Sequence, residues 1–297
     1  MTIDKYQRRG PCPGLPRHCY NASMEQNTSG FRPKGMWADG DAYEPYVGRW
    51  SRLVALAFLH WLGVPPGQRW LDVGCGTGAL TEAILQVAKP QSVKGIDAAE
   101  EYVAVARTRI TDGRAEFQVG DAQALPVETA DFDAVVSGLA LNFVAHPAQA
   151  IAEMARAAKK GSPVAAYVWD YGGRAQFMRH FWNAATALDP RAADLDEGRR
   201  FPLCNPDPLA ELFQSAGLVD VAVHPLDIWT LFADFDDYWL PFLGGQGPAP
   251  SYAMSLGERA RAALRERLRV TLPFALDGSI PLIARAWAVR GIADARL

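Results

Sequence analysis

The chain predicts an α/β fold built on a doubly wound sheet, on three observations. The short apolar run Trp70-Leu71-Asp72-Val73 breaks into glycines at alternate positions, Gly74, Gly76 and Gly78; residues 79–88 then place Leu80, Ile84, Val87 and Ala88 on one helical face. A second strand over 92–96 ends at Asp97, about one βαβ unit beyond the glycines. Apolar runs at 115–119, 131–137 and 163–169 then alternate with helical patterns at 98–110 and 148–158, which is the sequence form of strands wound with helices.

The 297 residues are enough for one large domain, and 49% of them are hydrophobic. A net charge of −3 with both signs mixed offers no global attraction to nucleic acid or to an anionic membrane, so neither partner is expected. The longest apolar run, 53–64, contains His60 and is too short to span a bilayer. Cys12, Cys19, Cys75 and Cys204 are too few and scattered for a disulfide framework and suit a reducing, cytoplasmic compartment. Cys12, His18 and Cys19 match no common zinc spacing, and no metal site is expected.

Residues 1–35, punctuated by Pro11, Pro13, Pro16 and Pro33 and without periodicity, read as a disordered tail without a signal peptide; Met36 stays open as the true start. A single domain is expected over 36–297. Its first helix, 51–62, is expected to turn Leu53, Leu56, Ala57 and Trp61 inward, and Pro65-Pro66-Gly67 stops it.

The glycine loop carries the chemistry. Missing Cβ atoms let the backbone approach a ligand, and the helix start behind it offers free N–H groups. A dinucleotide fingerprint spaces its glycines as G-x-G-x-x-G; here the third arrives one residue early, and Asp72 stands two residues before the first. An acid there disfavours a pyrophosphate and favours a ligand with a cationic group. Asp97, at the carboxyl end of the second strand, suits a ribose diol, which nicotinamide dinucleotides and S-adenosylmethionine both carry.

With its acid before G-x-G-x-G, the chain resembles the class I S-adenosylmethionine-dependent methyltransferases, in particular the small-molecule enzymes of the ubiquinone/menaquinone methyltransferase-like group. Gly120-Asp121-Ala122 after the third strand, Phe132-Asp133-Ala134-Val135-Val136 in the fourth and the 156–161 segment before the fifth extend the resemblance over about 68–170, with Ala158, Lys160 and Ser162 as departures. It implies a seven-stranded Rossmann-like sheet in the order 3-2-1-4-5-7-6, the last strand antiparallel, with helical insertions at about 171–200 and 233–272 forming a lid. It implies S-adenosylmethionine as cofactor, held by Asp72, Gly74, Cys75, Gly76, Gly78, Asp97, Ala98, Asp121, Ala122, Gln123, Ser137 and Gly138, with Tyr46 and Arg49 covering it from the N-terminal side. Asp133 is expected to be structural.

The reaction so implied is in-line displacement at the methyl carbon, to an O, N or C nucleophile. Ser137-Gly138-Leu139-Ala140 replaces the Asn/Asp-Pro-Pro-aromatic tetrad of nucleic-acid amino methyltransferases, and Ser137 stands where metal-dependent catechol enzymes have an acid. A Pro-Cys nucleophile and the paired glutamates of arginine methyltransferases are missing too. What remains is a small molecule, with Asn142, Trp169, Phe181, Tyr238, Trp239, Gln246 and Tyr252 as substrate candidates and Tyr171, Phe177, Trp182 and Phe242 as further aromatic walls. His146, Tyr171 and His180 are the candidates for a general base. The glycine–proline stretch 244–250 is expected to be a loop that closes over the site, Asp207 to cap a helix, Gly161 to end one, and Ser255 to Glu258 to form a capping box. An NAD(P)-dependent oxidoreductase and an inactive methyltransferase-like subunit are the alternative readings, and a homodimer stays open.

Overall fold

In a computed structural model, residues 47–244 and 247–294 are described. The expected tail, Met36, Tyr46 and Gln246 lie outside them. Seven strands form one sheet: β1 (Arg69–Val73), β2 (Ser92–Asp97), β3 (Ala115–Val119), β4 (Ala134–Gly138), β5 (Pro163–Trp169), β6 (Val219–Phe232) and β7 (Ile280–Ile292), in the order β3-β2-β1-β4-β5-β7-β6. The first five are parallel, and β7 runs antiparallel to both neighbours. This is the expected topology. Strands β1 and β4 lead away from one another in chain order yet lie side by side, so a crevice opens between their carboxyl ends, where doubly wound sheets bind ligands.

The helices are α1 (Arg49–Leu62), α2 (Ala79–Ala83, continued as a π-helical stretch over Ile84–Ala88), α3 (Glu100–Arg109), α4 (Pro147–Ala157), α5 (Gln176–Leu188), α6 (Glu197–Arg200), α7 (Pro206–Ser215), α8 (Phe235–Trp239), α9 (Pro248–Ser255) and α10 (Glu258–Thr271). Buried side chains of α1, α2, α5 and α10 share a core with Trp70, Val136, Tyr167 and Ala286. Those of α4 and α7 pack with Leu71, Val135, Ala166 and Val289, the alternate residues of the same strands. Period-two alternation thus supplies two cores to one sheet.

Several local expectations fail for identifiable reasons. Helix α1 buries Trp50, Val54, Ala55, Phe58, Leu59 and Leu62, while Leu53 is 43% exposed and Leu56, Ala57 and Trp61 lie at the margin. Both faces of that helix are apolar, so periodicity could not choose between them. Val87 is exposed because the π-helical turn rotates it off the inner face. Helix α7 starts at Pro206 behind Asn205, so Asp207 falls in the first turn. Helix α4 ends at Ala157, and Gly161 (φ 78°) instead serves the following turn, donating to the Ala293 carbonyl at 2.8 Å. The expected loop becomes helical from Pro248, and Ser255 ends α9 by donating to the Tyr252 carbonyl, so no capping box forms.

Candidate functional site

Three strand ends and the loops behind them build the crevice. Of the three glycines, two are required by the protein itself. A Cβ on Gly74 would stand 2.5 Å from the Ala140 Cβ, and one on Gly78 would stand 2.5 Å from the Ile110 Cδ1. A Cβ on Gly76 would meet nothing within 4 Å. Gly76 is therefore where the backbone faces open space, at a φ of 54° that also favours glycine.

Asp97 holds this loop. Its Oδ2 accepts from the Gly76 N–H at 2.8 Å and its Oδ1 from the Ala99 N–H at 2.9 Å. Each oxygen keeps a further lone pair. Burial pushes its pKa up, against the lowering effect of these backbone donors. Asp72 is fully buried at the end of β1, its Oδ2 accepting from the Thr81 hydroxyl at 2.7 Å. Burial raises its pKa to about 7, with a smaller rise from the charge of Asp97. The other oxygen, Oδ1, has no partner among the described residues, and neither has the buried Ser137 Oγ at the end of β4. Register pairs Asp72 with Val136, so Ser137 comes one position later and alternation turns its side chain to the other face; the two orphaned atoms flank the carboxyl ends of adjoining strands. Buried polar atoms without partners are costly, and two of them at neighbouring strand ends mark a place where a ligand completes the structure.

The segment after β4 folds back over this point. Leu139 adopts φ 60°, an uncommon conformation for a branched side chain. Its N–H donates to the Tyr167 carbonyl at 2.8 Å, and Gly138 permits the approach, since a Cβ there would stand 2.6 Å from the Tyr167 hydroxyl. Asn142 follows in a 3-10 turn, Leu141–Phe143; its Nδ2 donates to Cys204 Sγ at 3.4 Å, and its Oδ1 is a third buried atom without a partner.

Other expected positions are placed as follows. Cys75 is buried against Gly95 and Phe117, and Ala98 is exposed beside Asp97. Asp121 and Ala122 lie past β3, where Asp121 accepts from the Gln123 N–H at 2.9 Å. Gln123 in turn accepts from the N–H of His146, which is exposed at the start of α4. Asp133 accepts from the Arg69 N–H at 2.9 Å and from Lys159 at 2.6 Å, bonds that tie β1 to the turn before β5. The Arg49 guanidinium is turned to Asp237 at 2.8 Å and lies over the rings of Trp50 and Phe232. It pins α1 to α8.

The expected aromatic walls form an interior. Phe181 stacks on Phe242 with centroids 4.5 Å apart, Tyr252 meets Phe181 and Trp182, and Trp169 meets Phe177 edge-on. Trp239 packs on Phe242, and the Tyr238 hydroxyl donates to the Phe177 carbonyl at 2.8 Å. These rings hold the inserted helices to the sheet. His180 is half-buried on α5, and burial lowers its pKa.

Sequence reasoning missed a second polar group. Glu197, at the start of α6, is 2% exposed and accepts from the Trp182 indole N–H. Burial raises its pKa to about 7. In Asp194-Leu195-Asp196-Glu197-Gly198-Arg199-Arg200 it reads as one charge in a solvated run. Only the paired glycines hint otherwise: a Cβ on Gly198 would stand 2.6 Å from the Gly172 Cα, so α6 seats directly on the loop leaving β5. No cluster of His, Cys, Asp and Glu suited to a metal occurs among the described residues, and no helix among them is long and apolar enough to cross a membrane.

Residues 71–166 match the family described as "Methyltransferase domain". The chain is 34% identical over 173 residues to the demethylmenaquinone methyltransferase of Roseiflexus castenholzii, covering 54% of this chain and 72% of that one. It is 34% identical over 142 residues to the 2-phytyl-1,4-naphtoquinone methyltransferase of Synechocystis, covering 45% and 59%. Among solved structures, a Bacillus halodurans protein described as a putative methyltransferase superposes with a TM-score of 0.54 at 15% identity, covering 81% of this chain and 98% of that one. Phosphoethanolamine N-methyltransferase 2 of Haemonchus contortus, solved with S-adenosyl-L-methionine, gives 0.54 at 19% identity, covering 90% and 58%; likeness at that level concerns the fold. Sheet order, glycine loop and relatives agree: the chain belongs to the class I S-adenosylmethionine-dependent methyltransferase family.

Proposed function

We propose that the protein transfers the methyl group of S-adenosylmethionine to a small aromatic acceptor related to the quinones named for its relatives. The observation that carries the reading is the pairing of the open Gly76 with the orphaned Asp72 Oδ1 and Ser137 Oγ across one crevice. An adenosyl sulfonium fits these groups. Asp97, with a lone pair left on each oxygen, would take the ribose hydroxyls; Asp121 and the Ala122 N–H would take the adenine; the buried Asp72 and Ser137 would face the cationic methionyl part. Cofactor contact by Cys75, Gly78, Ala98, Gln123 and Gly138 belongs to the same reading.

The bound sulfonium supplies an activated methyl group. What the chain contributes is position and dryness. The strained Leu139 and the 3-10 turn set the far wall, and α6 covers the end of β5, so the acceptor is held at near-attack distance away from water. Such positioning is worth up to ~7–11 kcal/mol in favourable cases. Two titrations test the reading. S-adenosylhomocysteine is expected to raise the melting temperature at micromolar concentration while NAD and NADP leave it unchanged; the reverse pattern would make the protein a dinucleotide binder. Transfer of a labelled methyl group to phenols and hydroquinones, in preference to amines and carboxylates, then tests the acceptor class.

A further inference from the structure

Beside the crevice lies a second set of groups that the cofactor does not use. Asn142 and Cys204, from two separate segments, touch over the carboxyl ends of β4 and β5, and Glu197 lies within electrostatic range of that thiol. Cys204 is buried and touches the Asn142 amide, and it senses the charges of both Asp170 and Glu197, while burial lifts its thiol pKa to about 12. Asp170 is 7% exposed, with its Oδ2 accepting from the Arg174 N–H at 2.9 Å. Turning the Asn142 amide over would give its oxygen to the thiol and leave the nitrogen unpaired; in either orientation one buried polar atom has no partner.

Next to this polar corner are three rings that the interior has not absorbed. Phe143 is 41% exposed, and Phe201 and Tyr171 are half-buried. Phe201 meets Phe143 edge-on at 5.5 Å and Tyr171 at 6.1 Å. The corner is therefore rich in hydrogen-bond acceptors, carboxylates above all, and is flanked by rings. Its complement is a flat aromatic molecule that presents a hydrogen-bond donor.

We propose that this corner is the acceptor subsite and that Glu197 takes the proton of an aromatic hydroxyl on the methyl acceptor, with Asn142 hydrogen-bonded to the same oxygen. The inference rests on the methyltransferase reading above. It adds the protonation state and redox form of the substrate: a phenol or hydroquinone is recognised, and a quinone carbonyl or an aryl ether is not. In the step, the O–H bond breaks and its proton goes to the Glu197 carboxylate. The electron pair left on the acceptor forms the bond to the methyl carbon, from oxygen to give the methyl ether, or from a ring carbon, whose C–H bond then breaks and passes its proton back to the oxygen to restore the ring. The carbon–sulfur bond breaks with its pair to sulfur, which cancels the sulfonium charge. One proton is released per methyl group transferred, and Glu197 returns it to solvent. Trp182 holds the carboxylate through its indole N–H. Around it stand Asp196 at the N-cap of the same helix, itself paired with Arg179 of α5 at 2.7 Å, Arg200 at the far end of α6, and Cys204 and Asp170 from the facing segments.

The test uses 1-naphthol and 1-methoxynaphthalene, which share a ring system and differ in the hydroxyl, titrated into the full chain saturated with S-adenosylhomocysteine. Naphthol is expected to bind at least about tenfold tighter, the range of one hydrogen bond to a charged group. Its affinity is expected to rise between pH 6 and 8 as Glu197 ionises. Glu197→Gln is expected to flatten that rise while keeping the wild-type affinity for S-adenosylhomocysteine. Equal binding of the two probes, tighter binding of 1-aminonaphthalene, or an unchanged pH profile in the variant overturns the assignment and leaves the methyltransferase reading intact. Failure of S-adenosylhomocysteine to bind the wild type overturns both. Should Glu197→Gln not fold, Asn142→Leu carries the same test: preference for naphthol over the ether is lost if the assignment holds, and persists if it does not.

Discussion

The two edges of the sheet are built on opposite terms. At the amino edge charges are matched in pairs: Arg69 holds Asp131 through two bonds of 2.6 and 2.8 Å, Arg156 holds Glu153 the same way at 2.8 Å, and Lys159 reaches Asp133. A depression of about 610 Å³ lies there, lined by Arg69, Lys94, Arg114, Glu116 and Asp131. Most of its lining charges pair with one another or with near neighbours, Lys94 with Glu116 at 3.5 Å and Arg114 with Asp112 at 2.7 Å. At the carboxyl edge the buried carboxylates of Asp72 and Glu197 accept from a hydroxyl and an indole, with Arg200 acting on Glu197 through its charge, and Asp72, Ser137 and Asn142 each leave a polar atom unpaired among the described residues. A depression therefore lies at one edge and unmet chemistry at the other. Only the second describes a site, because a region whose groups already answer one another gains little from a ligand.

The largest expected contrast comes from Asp97. Asp97→Ala removes the proposed ribose partner and also releases the Gly76 and Ala99 N–H groups, so affinity for S-adenosylhomocysteine should fall by at least ~100-fold, about 2.7 kcal/mol, by calorimetry. Arg69→Ala at the opposite edge should leave that affinity unchanged. Its ion pair with Asp131 is about one-third exposed on each side, so the stability lost should stay within ~1 kcal/mol.

The glycines sharpen the comparison within the site. Gly74→Ala meets the Ala140 Cβ and is expected to damage the fold, lowering the melting temperature by several degrees. Gly76→Ala has room, and its cost to stability should be only the ~1–2 kcal/mol of a left-handed backbone. Its main effect should appear in ligand affinity.

A third contrast is in pH. Burial raises the folded-state pKa of Asp72 and Glu197 to about 7 each, above the values of the unfolded chain. Between about pH 4 and 7 the folded protein then binds more protons than the unfolded one, and stability declines as pH rises through that window. Asp72→Asn and Glu197→Gln should each raise the melting temperature at pH 8 relative to wild type and leave it little changed at pH 4. The smallest expected effect is that of Asp133→Asn. Its pKa is lowered, with Lys159 and the Arg69 N–H outweighing partial desolvation, so its contribution is present above the unfolded carboxylate pKa and fades in acid. A loss of at most ~1 kcal/mol at pH 7 is expected from chemical denaturation.

What could be read from sequence follows the same division. Strand order, the glycine loop and Asp97 were legible because each leaves a local mark: alternation, a residue without Cβ, an acid at a strand end. Glu197 left none, since its burial depends on α6 closing onto Gly172, a contact between segments distant in the chain. The Arg49 ion pair left no mark for a like reason, its partner Asp237 lying on an inserted helix. The aromatic residues were recognised as a group, but helical spacing cannot tell a ring that faces a ligand from one that faces another ring. Phe143 and Phe201, outside any strong period, are the ones left at the surface of the site.

A crystal structure of the protein grown with S-adenosylhomocysteine tests the central claim most directly. Density is expected at the carboxyl edge over Gly76, with the ribose on Asp97 and the amino group toward Asp72 and Ser137. Ligand bound instead in the amino-edge depression, or a crevice that stays empty at saturating concentration, would contradict the account.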